Sequence, residues 1–545
     1  MSSPIPLLAL VCGPAGWASY DGQRVRTWTA PDLPDLGPSG MRVVVWQAAD
    51  LAGLAAADQL PPRVLDLAEC HRLEHGGWRA DPGRIWAGVH GLAVDGIPEQ
   101  APDDLFAALA APLPDDALLT PAGYLRADAV AGTWQRTPER LGQWARAAYG
   151  CARTLLQGFA ARGPGAVATA ISESSAALLC LELERDGLPI DRAGMSALIA
   201  DAAGERPRDA LHGIQIRVER DARVLQHAPG HDGVDLRNPA SVKALLATIG
   251  IDVPSTRKWL LEPFRDAHPL ISPLLEWRAQ ERIATTYGYH WLDTHVGPDD
   301  RLRGHWTVCD GAAGRMTAEN GLHNLPVVLR PGVRAEAGHR FVRADLGQIE
   351  PRVLACVARD DAFAAATASD DLYAPVAARL GVERSRAKVA VLAAMYGQRS
   401  GTAGEALAGL QRAYPVAMGF LDQAYAAGVA GSDLRTHGGR LIRTAGPYDP
   451  GSRGRYARNA LIQGAAAELF KAWAATVRVT TADLGAQVVL CLHDELLVHV
   501  PEAAAQECAS RVETALTDAA RRWSGGAPVR FVTDSSIIER WSEAK

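Results

Sequence analysis

Lysine is almost missing from this 545-residue chain: only Lys243, Lys258, Lys388, Lys471 and Lys545 stand among 56 basic side chains. Arginine is the default cation, so a lysine inside a chemical motif carries information. The eight cysteines (Cys12, Cys70, Cys151, Cys180, Cys309, Cys356, Cys491, Cys508) form no CxxC pair and no Cys/His ligand spacing. Neither a zinc site nor a disulfide framework is signalled, and a reducing, cytoplasmic setting fits. Long apolar runs are missing too. Ile5 to Val11 is too short to span a bilayer and has no charge before it, so a buried strand is expected there instead of a signal peptide. No internal repeat occurs. The basic excess that advertises a polyanion partner is also lacking: 56 Lys+Arg face 62 Asp+Glu, a net charge of −6. That deficit is local. Residues 1–150 hold 11 basic and 17 acidic side chains, whereas the remaining 395 residues hold 45 of each.

What is present is globular: 48% of the residues are hydrophobic, and the length suits about three domains at roughly 100–200 residues each. Short apolar runs at Met41 to Trp46 and Arg63 to Leu67 suggest a small α/β unit at the N-terminus. Residues 93–133, rich in Pro, Asp, Gly and Ala, read as a long connection or weakly structured insert. Helical spacing runs from Gln143 to Leu183, with a domain boundary near 165 and a helix N-cap at Asp191. Residues 191–290 read as mostly helical; strands return at Phe341 to Ala344 and Gln487 to Val500, with a helical block between them.

Three segments carry chemistry. In Phe341 to Arg352 (FVRADLGQIEPR), an apolar strand ends at Asp345 and Gly347 permits a turn into a helix near Glu350. In Gln487 to Val500, two apolar strands flank His493-Asp494-Glu495, a hairpin with Asp494 at its tip. If one sheet joins Asp345 to Asp494, their like charges need a cation between them, and hard oxygen donors suit two Mg²⁺ ions clamping a phosphoryl displacement. The plain alternative is two ordinary turn aspartates. Between these segments, Arg384, Lys388, Leu392 and Tyr396 follow i, i+4 spacing on a helix that Gly397 can end. A stripe from two cations to an aromatic matches a nucleoside triphosphate; a solvated helix start followed by an apolar face is the alternative.

In this order, the segments resemble motifs A, B and C of the A-family DNA polymerases, the DNA polymerase I-like enzymes: DYSQIELR at Asp345–Arg352, RxxxKxxxFxxxYG at Arg384–Gly397, and VHDE at Leu492–Glu495. Gly314-Arg315-Met316-Thr317 with Leu322 to Pro326 is similar to the family's TGRLSS…LQNIP, and Arg458 to Glu468 to its RxxxNxxIQGxAAD helix. The match covers about 170–545. EPRVLA and AVLAAMYGQ resemble a short actinobacterial-type "bifunctional 3′-5′ exonuclease/DNA polymerase" branch, and no 5′ nuclease domain is expected within 545 residues.

The resemblance implies an α/β (α+β) right hand. Residues 1–165 would be a small, truncated ribonuclease H-like exonuclease domain, 166–300 a helical thumb, and 301–545 a palm with fingers inserted at about 355–480. Asp345, Asp494 and the Leu346 carbonyl would hold two Mg²⁺ ions, with Mn²⁺ able to substitute. Arg384 and Lys388 would bind the triphosphate, with Lys388 also protonating pyrophosphate. Leu392, Tyr396, Gln348 and Tyr373 would line the nucleotide site, and Glu350 would exclude a ribose 2′-hydroxyl. Arg315, Asn324, Asn459, Gln463, His493 and Glu495 would contact primer-template DNA. Several positions depart from the family pattern. Leu392 replaces a stacking aromatic, Leu346 a tyrosine, Tyr373 a histidine and Ala393 a helix glycine, the last stiffening the helix by ~1 kcal/mol.

Ahead of the thumb, the family's proofreading exonuclease needs several acids for its two-metal chemistry. Trp46 to Asp50 and Leu65 to Glu69 faintly resemble its middle, but no DxE precedes Asp50, and Arg153 stands where YxxxD requires aspartate. The expectation is a template-directed DNA polymerase without proofreading, serving replication or repair, monomeric, cytoplasmic and nucleoid-associated. Its partners would be primer-template DNA and dNTPs. The alternative is a catalytically weakened polymerase fold that binds primer-template.

Overall fold

The computed structural model describes residues 5–36, 40–99, 116–311, 313–397, 403–492 and 494–544; the side chains of His323 and of residues 403–406 are outside the description. The chain divides into two compact units. One comprises Met1–Gly187, His305–Ala318 and Ala337–Ile538; the other comprises Leu188–Gly304, Glu319–Glu336 and Glu539–Lys545.

The first unit opens with a five-stranded sheet, order β3-β2-β1-β4-β5, built from β1 (Leu7–Gly13), β2 (Gly16–Tyr20), β3 (Val25–Trp28), β4 (Arg42–Val45) and β5 (Val64–Asp66). Strand β1 reads as an unbroken apolar run because both faces of this sheet are covered. Ala9 and Val11 pack with Trp144, Ala148 and Cys151 of α2 (Pro138–Arg162), while Leu10 packs with Leu178 of α3 (Pro164–Asp186). Asp66 caps the intervening helix α1 (Leu67–His75), accepting the Glu69 N–H at 2.9 Å. The sequence boundary near 165 coincides with a break between α2 and α3 at Gly163, φ +119°, but α3 stays in the first unit and the division falls after Gly187. By length and hydropathy α3 could cross a membrane; 61% of its apolar window is buried inside the protein, as befits a core helix.

The same unit holds the hairpin β6 (Trp306–Asp310) and β7 (Arg315–Ala318) and a second, four-stranded sheet. Its members are β8 (His339–Leu346), β9 (Gln487–Leu492), β10 (Glu495–Pro501) and β11 (Thr533–Ile538), in the antiparallel order β9-β10-β8-β11. Strands β8, β9 and β10 follow the sequence expectation; β11 has no counterpart in it, because its Thr533-Asp534-Ser535-Ser536 start is polar and half exposed. Helix α7 (Ala505–Trp523) packs on this sheet and α6 (Pro450–Thr480) touches β9, while α4 (Ile349–Ala358) and α5 (Arg384–Tyr396) pack on α6. Gly397 ends α5 at φ +69°, the expected left-handed stop.

The second unit is mainly helical. Helices Ala210–Leu225, Pro239–Thr248 and Ile271–Thr286 share a core of Val224, Val242, Leu246, Leu274 and Trp277. Asp191 caps Arg192–Ala203 as expected, accepting the Gly194 N–H at 2.8 Å.

Candidate active-site cleft

Strand register brings the two aspartates together. Asp345 is the next-to-last residue of β8, opposite Glu495 on one side and Asp534 on the other. Asp494 sits in the β9–β10 turn, and its carbonyl accepts the Leu346 N–H at 2.9 Å. Burial, then the charge of Asp494, raises the Asp345 carboxyl to about 6. Burial likewise raises Asp494, with Glu495 and Glu350 adding to it. A carboxyl raised by burial and by a neighbouring carboxylate marks a site short of positive charge, and its hard oxygen donors fit a divalent cation.

Period-two alternation puts Arg343 on the same strand face as Asp345. Its buried guanidinium reaches across three strands, to Asp345 Oδ2 and Glu495 Oε1 at 3.1 Å each and to Asp534 Oδ2 at 3.5 Å. Sequence reasoning passed over this residue, although its spacing from Asp345 was the signal. Glu495, expected to contact DNA, spends one oxygen on Arg343.

In the turn after Asp345 the left-handed backbone belongs to Gln348, at φ +55°, the N-cap of α4. Gly347 allows a close approach there, since a Cβ would stand 2.8 Å from Val532 Cγ2. Gln348 is held in its uncommon conformation by its side chain, which donates to Asp371 Oδ1 at 3.0 Å and accepts the Leu372 N–H at 2.8 Å. Fully buried Arg352 fastens the turn to the following loop, donating to the carbonyls of Gly347, Thr367, Ser369, Asp370 and Arg530 at 2.5–3.0 Å.

Over this floor lies a cleft of about 370 Å³ lined by Arg315, Gln348, Glu350, Tyr373, Arg384, Lys388, Leu392, Tyr396 and Asp494, among others. The i, i+4 stripe of α5 thus faces the same space as Asp494. Arg384 and Lys388 are exposed at its mouth, and Leu392 is half-buried. Arg384 is paired with Asp371, Nε to Oδ2 at 2.5 Å and Nη2 to Oδ1 at 3.1 Å. Asp371 is a second residue the sequence reading left without a role. Tyr373 is 4% exposed, and burial, then the Glu350 charge, pushes its hydroxyl up to about 12, so it stays a neutral donor. Glu350 links two walls: Oε1 accepts from Arg315 Nη2 at 2.7 Å and Oε2 from the Tyr396 hydroxyl at 3.3 Å. Tyr396 also hydrogen-bonds the Gln463 side chain, which puts α6 beside the cleft. Asn459 lies one helical turn before Gln463 on α6, half-buried. Arg458 donates to the Ala394 carbonyl at 2.6 Å and to Asp422 at 2.8 Å, fixing the end of α5. Asn324 belongs to the second unit, where its carbonyl accepts from Tyr287 and Arg282. His493 lies outside the described residues.

The acids of the N-terminal sheet are arranged differently. Strand β1 (LLALVCG) carries none. Asp66 accepts from Ala48 N at 2.6 Å as well as from Glu69 N, and Asp50 accepts from Gln47 N at 3.4 Å. Arg153 is exposed on α2.

The family model for DNA polymerase family A matches residues 239–423 and 440–543, and the chain belongs to that family. DNA polymerase I of Chloroflexus aurantiacus is 31% identical over 279 residues, 45% of this chain and 29% of that protein. DNA polymerase I of Pseudomonas aeruginosa is 25% identical over 408 residues, 66% of this chain and 43% of that protein. The chain thus spans less than half the length of these relatives. Among solved structures, the POL domain of Pol1 from M. smegmatis, in complex with a DNA primer-template and dNTP, superposes with a TM-score of 0.70 at 19% identity. The superposition covers 98% of this chain and 95% of that one, a likeness of fold: mixed helix and strand with palm, fingers and thumb.

Proposed function

We propose that this protein is a template-directed DNA polymerase that adds dNTPs to a primer 3′-hydroxyl. The observation that carries the reading is the meeting of Asp345 and Asp494 at one end of the sheet's strands, under a cleft walled by the Arg384–Lys388–Leu392–Tyr396 face of α5. Family membership and a solved relative of the same fold that holds primer-template and dNTP support it.

Asp345, Asp494 and the Leu346 carbonyl would hold two Mg²⁺ ions. When bound, these supply charge to activate the primer hydroxyl and stabilise the leaving pyrophosphate. The chain's own groups do the rest. Arg343 orients the Asp345 carboxylate. Lys388 grips the triphosphate as a point charge and donates a proton to the departing pyrophosphate oxygen. Arg384 offers a planar fork to phosphate oxygens once it exchanges Asp371 for them. Tyr373 donates a neutral hydrogen bond, Leu392 gives the base an aliphatic neighbour, and Tyr396 stands at the far end beside the template base. Glu350, braced from both sides, leaves a 2′-hydroxyl without space or partner. Arg315, Asn324, Asn459, Gln463, His493 and Glu495 are the proposed DNA contacts.

The N-terminal domain is proposed to lack proofreading. Asp50 and Asp66 are occupied by backbone donors, and arginine stands at position 153. The protein would act as a monomer in the cytoplasm, on the nucleoid, in replication or repair.

Primer extension with dNTPs or NTPs, comparing wild type with Asp494→Ala, tests the proposal. Extension with dNTPs that disappears in the variant supports it. Equal extension by both proteins overturns the metal assignment, and primer-template binding without extension by wild type favours a binding protein.

A further inference from the structure

Behind Arg315 lies a buried ionic cluster that the cleft does not include. Glu173 of α3 and Lys471 of α6 are 0% exposed, and Arg440, from the hairpin Leu434–Arg435/Leu441–Ile442, is 2% exposed. One carboxylate oxygen, Glu173 Oε2, receives both Lys471 Nζ and Arg440 Nη2. The two cations then grip the β6–β7 hairpin. Lys471 Nζ donates to the Gly314 carbonyl at 2.8 Å and to the Val308 carbonyl at 3.5 Å, and Arg440 Nη1 donates to Cys309 Sγ at 3.1 Å. The guanidinium lies flush on Gly314, whose φ is +68°; a Cβ there would stand 2.6 Å from Arg440 Cζ.

The Gly314 carbonyl is half of the peptide that leads into Arg315. A cation bonded to that oxygen sets the peptide plane, and with it the direction in which the Arg315 side chain departs. Arg315 holds Glu350 Oε1, and Tyr396 holds Oε2. An unbroken chain of charge contacts and one peptide therefore joins the N-terminal half of the molecule to the carboxylate at the cleft. The cluster is poorly built for stability alone, because among the described residues Glu173 Oε1 and Arg440 Nε are buried with no hydrogen-bond partner. Groups left unpaired in this way cost free energy, and such networks are best explained where they specify a geometry. Burial works to raise the Glu173 carboxyl, but Arg440 and Lys471 outweigh it and hold it below the usual range, so the cluster keeps its charge.

We propose that Glu173 is a positioning residue for sugar selection: through Lys471 and Arg440 it fixes the Gly314–Arg315 peptide, and through Arg315 it fixes Glu350. The inference rests on the polymerase reading above. It also ties the N-terminal sheet to the cleft, since α3, which packs against that sheet through Leu178, supplies Glu173.

The test is single-nucleotide incorporation by the full chain on a defined primer-template, with a dNTP and the matching NTP. Its readout is the ratio of the two kcat/KM values. Loss of folded enzyme scales both rates equally and leaves this ratio unchanged, whereas a displaced Glu350 lowers it. Glu173→Gln is expected to lower dNTP preference about 10-fold. Gly314→Ala, which pushes on Arg440 from the opposite side without leaving a buried charge unpaired, is expected to do the same. Adding Glu173→Gln to Glu350→Gln should change the ratio no further, because both act through one carboxylate. An unchanged ratio in Glu173→Gln and Gly314→Ala, or a full additive loss in the double variant, overturns the inference. A wild-type chain that incorporates neither sugar overturns the polymerase reading itself, so the two failures are distinguishable.

Discussion

The two sheets of the first unit both have acids near strand ends and treat them in opposite ways. In the N-terminal sheet, burial raises Asp50 to about 6 and Asp66 to about 7; at the cleft, burial and then Asp494 raise Asp345 to about 6. A raised carboxyl therefore does not separate the regions. What separates them is how the oxygens are used. Asp66 spends both on backbone N–H groups as a helix cap and loop anchor, and Asp50 is hydrogen-bonded to Gln47. Asp345 shares one cation, Arg343, with two other carboxylates and faces Asp494 across a turn. An acid whose acceptors are satisfied within the fold holds structure, while an acid set against another acid with too few donors is prepared for a ligand.

Substitutions can break that contrast. The largest effect is expected from Asp345→Asn or Asp494→Asn, each lowering primer extension by about 1000-fold or more, which is roughly 4 kcal/mol of transition-state stabilisation. Asp66→Asn should leave the extension rate within about threefold. Steady-state incorporation measures both, and equal losses in the two sheets would end the distinction. Next in size, Lys388→Ala should raise the dNTP KM by about 10- to 100-fold through loss of a phosphate contact, with primer-template affinity in a filter or anisotropy assay unchanged. A change confined to DNA affinity would move Lys388 from the nucleotide to the duplex.

A smaller effect concerns pH. Asp66 binds its proton more tightly folded than unfolded, since its carboxyl is raised from the ordinary range near 3.9 to about 7. Its stabilising contribution is complete at pH values below the unfolded value and is lost as pH rises through about 7. Asparagine does not titrate, so the Tm of wild type relative to Asp66→Asn should fall between about pH 4.5 and about pH 7.5. A difference that stays constant or rises by calorimetry would contradict the burial argument. The smallest expected effect is none: Asp50→Ala should leave the 3′ to 5′ degradation of labelled DNA at background, as in wild type. Metal-dependent degradation that Asp50→Ala abolishes would restore a nuclease to the N-terminal domain.

Local order in the sequence was enough for much of this protein. Alternation and apolar runs marked β8, β9 and β10, because a strand buried on its faces must declare itself in composition. The i, i+4 stripe and Gly397 marked α5 and its end, because helix geometry and left-handed backbone are properties of a few neighbouring residues. Asp345 and Asp494 stood out as polar groups set in apolar surroundings, and Arg384 and Lys388 by their spacing along that stripe. The polar strand β11 was not legible, since its pairing with β8 comes from the neighbour and not from its own pattern. Nor were the contacts around those residues: Asp371 on Arg384, Arg352 beneath the turn, or the Glu173–Lys471 pair behind Gly314. These contacts join residues from 5 to 298 positions apart, including Glu173 with Lys471, and only the closed fold sets them within a hydrogen bond of one another. The sequence by itself determined which side chains could do chemistry and on which elements they ride. The tertiary structure decided which acids are occupied within the fold, because that depends on which donors the rest of the chain brings to each oxygen.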